Sequence, residues 1–421
     1  MVQPGDTLQG IARSFDVPLS QILVDNRLPD PSFLVSGQAL VIRFPEQTYL
    51  VQPSDTLLSV SRQTGLSLRQ LYRNNLALDG RPNIYPGQTL VLRYKEEPGP
   101  PLTANAYAYP FINRDLLQRT LPFLTYLTPF TYGFTKDGTL VEPEDEPLLG
   151  AARTTGTGTL MHLSTLTDEG NFSSELGSLA LQDLALQETL INNVASNIQA
   201  KGYRGLDVDF EFLGAKNAAP YAAFVRRLRE RLSPLPVIVA LAPKTSADQP
   251  GVLYEGHDYK ALGEAADYVF LMTYEWGYTY GPPMAVAPIS NVRKVVEYAL
   301  TEVPAEKIWL GLPNYGYDWP IPYVQGVTRA ISVSPRYAVG LAARYRSTIQ
   351  YDETSQAPWF RYTNESGRVH EVWFEDARSL SARLALIPEY GMVGVGIWNL
   401  MRPFPQCWPV LDSLFTILDP P

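Results

Sequence analysis

The sequence predicts an α/β protein: a (β/α)8 (TIM) barrel with a small α+β insertion, preceded by two βααβ modules. Three observations predict it. A segment of about 45 residues occurs twice at the N-terminus. Apolar runs of strand character then alternate with stretches long enough for crossover helices. One of those runs, Arg204–Phe212, carries carboxylates at alternate positions.

The chain has 421 residues, 45% hydrophobic and 18% charged, enough apolar material for one large domain beside small modules. A net charge of −9 with no Lys/Arg cluster argues against nucleic acid as a partner and leaves a neutral or partly anionic polymer. The single cysteine, Cys407, excludes an intrachain disulfide. His162, His257 and His370 are far apart and lack nearby Cys, so neither a metal site nor a cofactor is expected. Each reads as a surface or hydrogen-bonded histidine. Apolar runs such as Leu235–Pro243 are too short to span a bilayer, so no membrane insertion is expected. The start, Met1-Val2-Gln3-Pro4-Gly5-Asp6, has neither a basic nor an apolar leader region, so no signal peptide is expected. A monomer is expected.

In the repeat, Val2-Gln3-Pro4-Gly5-Asp6-Thr7-Leu8 recurs as Val51-Gln52-Pro53-Ser54-Asp55-Thr56-Leu57. Asn26 matches Asn75, and Gly37-Gln38-Ala39-Leu40 matches Gly87-Gln88-Thr89-Leu90. Each copy reads as strand, helix, helix, strand, with Asp6 or Asp55 as the N-cap of the first helix. The copies occupy 1–45 and 48–94. They resemble the LysM module, and that resemblance implies binding to GlcNAc-containing glycans such as peptidoglycan and chitin. Residues 95–103, with three prolines in Pro98-Gly99-Pro100-Pro101, read as a stiff spacer.

The barrel is expected over 104–421. Its candidate strands are Ala104–Phe111, Tyr126–Gly133, Thr159–Ser164, Gly205–Leu213, Pro236–Ala242, Tyr268–Tyr274, Lys307–Pro313 and Val393–Leu400. Leu186, Leu190, Val194 and Ile198 recur every fourth residue, the core-facing stripe of a helix. The span from Asn314 to Met392 exceeds a plain βα unit. Its runs Trp359–Thr363 and Val369–Phe374 around Gly367 read as a hairpin insertion, at about 320–380, above the barrel mouth.

Alternation along Arg204–Phe212 puts Leu206, Val208, Phe210 and Phe212 on one face and Asp207, Asp209 and Glu211 on the other. Neighbouring carboxylates then sit on Cα atoms roughly 6.5–7 Å apart, and mutual repulsion raises the proton affinity of at least one. Facing a barrel axis, such a row suits an enzyme that needs one protonated and one charged carboxyl. Glu211 lies nearest the C-terminal mouth, where barrel enzymes hold their chemistry.

These residues resemble the Asp-x-x-Asp-x-Asp-x-Glu signature of glycoside hydrolase family 18, with Arg204 in place of the first Asp. Met272-Thr273-Tyr274-Glu275-Trp276 resembles the family's sixth-strand motif, with Glu275 for Asp, and Gly394–Trp398 resembles its eighth strand. The resemblance implies that Glu211 is the proton donor, that Asp209 and Asp207 assist it, and that Tyr274 binds the substrate acetamido oxygen. It also implies that Trp398 floors the sugar site and that Tyr107, Met272, Glu275 and Trp276 belong to the substrate-binding set. Family 18 is an exception to the two-carboxylate rule, because the substrate's own acetamido group acts as nucleophile.

Ala242-Pro243-Lys244-Thr245, Tyr254–Tyr259 and Asn314-Tyr315-Gly316-Tyr317-Asp318-Trp319 narrow the resemblance to spore cortex-lytic N-acetylglucosaminidases with two LysM modules. Asn314, Tyr317 and Asp318, and Gln350, Tyr351 and Glu353 of the insertion, are expected at the groove. The resemblance implies cleavage after GlcNAc in cortex peptidoglycan during germination, in a protein laid down in the spore cortex or coat from the mother cell. The alternatives are a chitinase and a non-catalytic chitinase-like lectin; the presence of Glu211 disfavours the lectin.

Overall fold

A computed structural model describes residues 1–28, 33–96 and 99–421. The barrel strands are β1 (Pro101–Ala108), β2 (Tyr126–Pro129), β3 (Met161–Ser164), β4 (Leu206–Asp209), β5 (Val237–Leu241), β6 (Tyr268–Leu271), β7 (Ile308–Pro313) and β8 (Gly394–Trp398). Every neighbouring pair runs parallel, and β8 pairs with β1. The last gap closes through Gly158–Thr159, which pairs with β2, and a bridge between Tyr132 and Leu163. This is the TIM-barrel ring, with right-handed βα units holding helices outside.

Parallel strands buried on both faces need apolar residues on both. Inside, Tyr107, Tyr126, Leu160, Ile238, Ala240, Phe270 and Trp309 pack together, with the rings of Tyr126 and Trp309 stacked at 6.3 Å. Outside, Leu206, Val208 and Phe210 of the acidic segment are fully buried, and Phe210 stacks on Tyr221 and Phe224 of helix Ala218–Leu232. The stripe Leu186, Leu190, Val194 and Ile198 lies buried on helix Leu184–Lys201.

The first strand begins earlier than the sequence suggested. Pro101 and Leu102, assigned to the spacer, pair with Thr416–Ile417 near the C-terminus. Glu97 and Pro98 of that spacer lie outside the described residues.

The N-terminal modules differ from expectation in two respects. Thr7 and Thr56, rather than Asp6 and Asp55, cap the first helices, Leu8–Phe15 and Leu57–Thr64, each accepting from the amide three residues on. Asp6 and Asp55 instead accept from the amides of Gln3 and Gln52 and close the preceding turn. Among the described residues, only copy two has paired strands, Pro45–Leu50 with Thr89–Tyr94. In copy one the equivalent segments share two backbone bonds, Val2 to Gln38 and Gly37 to Val2, each 2.9 Å.

The modules are docked rather than held out on a spacer. Arg69 and Arg73 of helix Leu68–Asn74 reach beneath the barrel, donating to the carbonyls of Gly156 at 2.9 Å and Pro122 at 2.7 Å. Gln406 of the barrel donates to Asn26 and to the Ala39 carbonyl of copy one. Between the copies, the buried Asp25–Arg43 ion pair (2.6 Å) lies against Tyr94. Copy one also abuts the insertion, where Ile349 N–H donates to Ser36 O and Val35 joins the insertion's apolar core. At Gly37 (φ +84°) a Cβ would stand 1.8 Å from the Ile349 carbonyl oxygen, whereas the matching Gly87 has open space around it.

The insertion is larger than a hairpin. It is a five-stranded antiparallel sheet in the order Ile331–Val333, Gly316–Ile321, Val369–Trp373, Ala357–Thr363, Gln350–Asp352, with helix Pro335–Arg344 packed on it. A buried ion pair, Arg383–Glu375 (2.7 Å), ties its exit to the barrel, and Arg383 also donates to Ala287 O.

Candidate active site

A cleft of about 1040 Å³ opens at the C-terminal ends of the strands. Its lining includes Asp209, Glu211, Met272, Tyr274, Glu275, Trp276 and Trp398. The register of β3 against β4 sets His162 beside Asp207 and Ser164 beside Asp209.

Asp207 is fully buried below the cleft, where its Oδ2 accepts from Tyr107 Oη at 2.7 Å. Burial pushes its carboxyl up to about 6, opposed by His162 and by the Tyr107 hydrogen bond. Tyr107 itself lies under the cleft floor rather than on it, held far above the usual phenol range by burial and by Asp207.

Strand β4 ends at Asp209, so Glu211 stands on the following loop, not on the strand. The backbone turns outward at Phe212 (φ +55°), which is half-exposed at the cleft rim instead of joining the apolar face. His257 braces this turn. Its Nε2 lies 2.9 Å from the Phe210 carbonyl, and its Nδ1 accepts from the Ala242 amide at 2.8 Å. Burial lowers the proton affinity of that ring. A neutral tautomer with its proton on Nε2 satisfies both bonds. Glu211 is pushed up to about 8 by burial and then by the charge of Asp209. A carboxylic acid of that kind is still protonated at neutral pH and can donate to a leaving group.

Tyr274 is held well above the normal phenol range by burial and by Asp209 and Glu211, so its hydroxyl remains a donor. Glu275 occupies the left-handed region (φ +67°), and its carboxylate accepts from Tyr315 at 2.5 Å and Tyr317 at 3.1 Å. Burial raises its proton affinity while those hydroxyls oppose the rise. Trp398 packs edge-on against Tyr107 and Phe130, which fixes its ring at the floor.

Other expected groove residues lie elsewhere. Asn314 is buried, donating at 2.9 Å to the Arg402 carbonyl in the loop after Trp398. Tyr317 reaches the cleft only through Glu275. Asp318, its neighbour on a strand, points to the opposite face, to Tyr362 and His370. Gln350 sits exposed on the insertion's edge strand. Tyr351 packs under the Arg378 guanidinium, and Glu353 accepts from Gln356. Their segment meets the cleft wall at one remove, where the Ser355 carbonyl accepts from Ile289 N–H.

The cleft also holds Tyr109, Phe130, Phe172, Tyr254, Asn291 and Lys294, which local sequence patterns did not single out as site residues. Arg204 is exposed near the opposite end of β4, its amide bonded to Thr159 O at 2.7 Å, away from the reacting end. No group of three or more metal-ligating side chains occurs among the described residues.

A parallel barrel with this acidic strand and cleft is a glycoside hydrolase scaffold, and residues 118–402 match the glycosyl hydrolases of family 18; the chain belongs to that family. Residues 1–43 and 49–93 match the LysM domain, and both together indicate a GlcNAc-containing glycan as partner. The chain is 42% identical to the cortical fragment-lytic enzyme of Bacillus subtilis (strain 168), over 99% of this chain and 98% of the relative. Two solved structures are similar over 99% of this chain and 97% of theirs. The Bacillus megaterium QM B1551 spore cortex-lytic enzyme SleL has a TM-score of 0.83 at 39% identity, and the Bacillus cereus SleL 0.84 at 37%.

Proposed function

We propose that this glycosidase cleaves the β-1,4 bond after GlcNAc in spore cortex peptidoglycan during germination, by substrate-assisted, retaining hydrolysis. The observation that carries the reading is the placement of Glu211 beside Asp209 in a cleft floored by Trp398 and Tyr274, where burial and that neighbouring charge push its carboxyl up to about 8. Glu211 gives its proton to the glycosidic oxygen as the bond to C1 breaks. The 2-acetamido carbonyl oxygen of the same sugar closes on C1, giving a cyclic oxazolinium. Asp209 accepts from the acetamido N–H and stabilises its positive charge, and Tyr274 donates to the acetamido oxygen. Glu211, now a carboxylate, takes a proton from water as that water opens the ring at C1, which restores the acid. The similarity to cortex-lytic enzymes along nearly the whole chain supports the cortex as substrate and the spore as the place of action.

The test is turnover of purified cortex fragments by Glu211→Gln, with products identified by mass spectrometry. The wild type is expected to leave GlcNAc at the new reducing end, and the variant to lose about 10²–10⁴ in kcat. A variant that cleaves at the wild-type rate overturns the assignment.

A further inference from the structure

The two sides of the cleft differ in chemistry. From the loops after β1, β2 and β3 come Tyr109, Phe130 and Phe172, rings in contact at 5.1 and 6.2 Å. Beyond β5 and β6 the lining adds polar groups, Gln249, Tyr254, Asn291 and Lys294, beside Pro243, Pro250 and Leu253. Lys294 is the only cation among the described residues lining the cleft, whose carboxylates are Asp209, Glu211 and Glu275. It is exposed, and no carboxylate pairs with it among the described ion pairs. Asn291 stands three residues earlier on the same helix, Ile289–Glu302, and so shares its face.

A GlcNAc homopolymer is neutral and offers this ammonium nothing. In peptidoglycan every second sugar is a muramoyl residue, and where its 3-O-lactyl arm is open, rather than closed as a neutral lactam, the arm ends in a carboxylate or in a peptide bearing carboxylates. Beside the charge of Asp209 such an arm is disfavoured unless it meets a cation. N-acetylmuramoyl residues carry a 2-acetamido group as GlcNAc does, so the substrate-assisted step alone does not choose between the two bonds of the repeat.

We propose that Lys294, with Asn291 beside it, binds the carboxylate of an open muramoyl arm on this side of the cleft and so biases the register of the alternating glycan across Glu211. The inference deepens the function proposed above and rests on it. Placed on one side only, the cation makes the two possible registers unequal.

The test uses full-length wild type, Lys294→Met and Lys294→Arg on peptidoglycan fragments whose stem carboxylates are either free or converted to amides. The wild type is expected to have a KM about fivefold lower for the free acids, the range of an exposed ion pair. Lys294→Met should bring that ratio to about one and raise the minor kind of new reducing end by up to about fivefold, and Lys294→Arg should restore both. A Lys294→Met protein that keeps either the wild-type ratio or the wild-type product mixture overturns the proposal, while its turnover leaves the glycosidase reading standing. Failure of the wild type to cut either fragment overturns both.

Discussion

The Nε2 atom of His162 stands 3.6 Å from Asp209 and 3.9 Å from Asp207, a buried imidazole between the two carboxylates behind Glu211. Its Nδ1 meets Thr131 Oγ1 at 2.5 Å, and Thr131 donates in turn to Ser164 at 3.0 Å. The ring is therefore fixed from β3 and the loop after β2, and it has little freedom to follow either carboxylate.

His162→Gln should therefore lower kcat about tenfold with a much smaller change in KM. The attraction of His162 holds the Asp207 carboxyl below the value burial alone would give, about 6 with the ring present. Without it Asp207 keeps its proton to higher pH, so the acid limb of the kcat profile should move upward. A limb that stays in place, with the fold intact by circular dichroism, would detach His162 from the pair.

Glu211 makes activity and stability oppose each other. Its folded carboxyl holds a proton up to about pH 8, against 4.5 for an ordinary glutamate. The folded state thus binds more protons between those values, and the contribution to stability is complete below 4.5 and falls as pH rises toward 8. Glu211→Gln should be more stable than wild type at pH 8, by on the order of 1 kcal/mol or more, and equal to it near pH 4. Denaturant titrations at both values check this. The wild-type kcat/KM should decline above about pH 8, as the acid is lost.

Docking of the second N-terminal module depends on Arg69 and Arg73. Each places a buried guanidinium against backbone carbonyls, bonds worth about 1.5–3 kcal/mol when the donor is charged. The double variant Arg69→Ala/Arg73→Ala should release the module, broadening the small-angle scattering profile and opening the segment near Lys95 to protease. Turnover of soluble fragments should persist, while attack on insoluble cortex weakens. A compact scattering profile would show that the docking does not need these side chains.

The sequence was most legible where one periodicity governed a whole segment. The barrel strands lie close to their expected positions, and Leu186, Leu190, Val194 and Ile198 all face the core. The acidic row was legible for the same reason, but its end was not. The positive φ at Phe212 ends the alternation just where Glu211 leaves the strand. Tyr317 and Asp318 were both expected at the groove, although a strand sends adjacent side chains to opposite faces. The aromatic wall of Tyr109, Phe130 and Phe172 has no local signature, because three separate loops contribute one ring each. The docking arginines resembled any charged helix face, since nothing in their own segment reveals the carbonyls they meet.

The turn glycines of the two N-terminal copies occupy the same backbone conformation, φ +84° in each. Gly87 is there for its dihedral angle alone, and an asparagine would serve it tolerably. Gly37 is pinned twice, by the same angle and by the Ile349 oxygen of the insertion pressing where a side chain would begin. What began as a tandem duplication has thereby become a directional assembly: the copies are no longer interchangeable parts, and transposing them would leave the barrel with the wrong neighbour at each face.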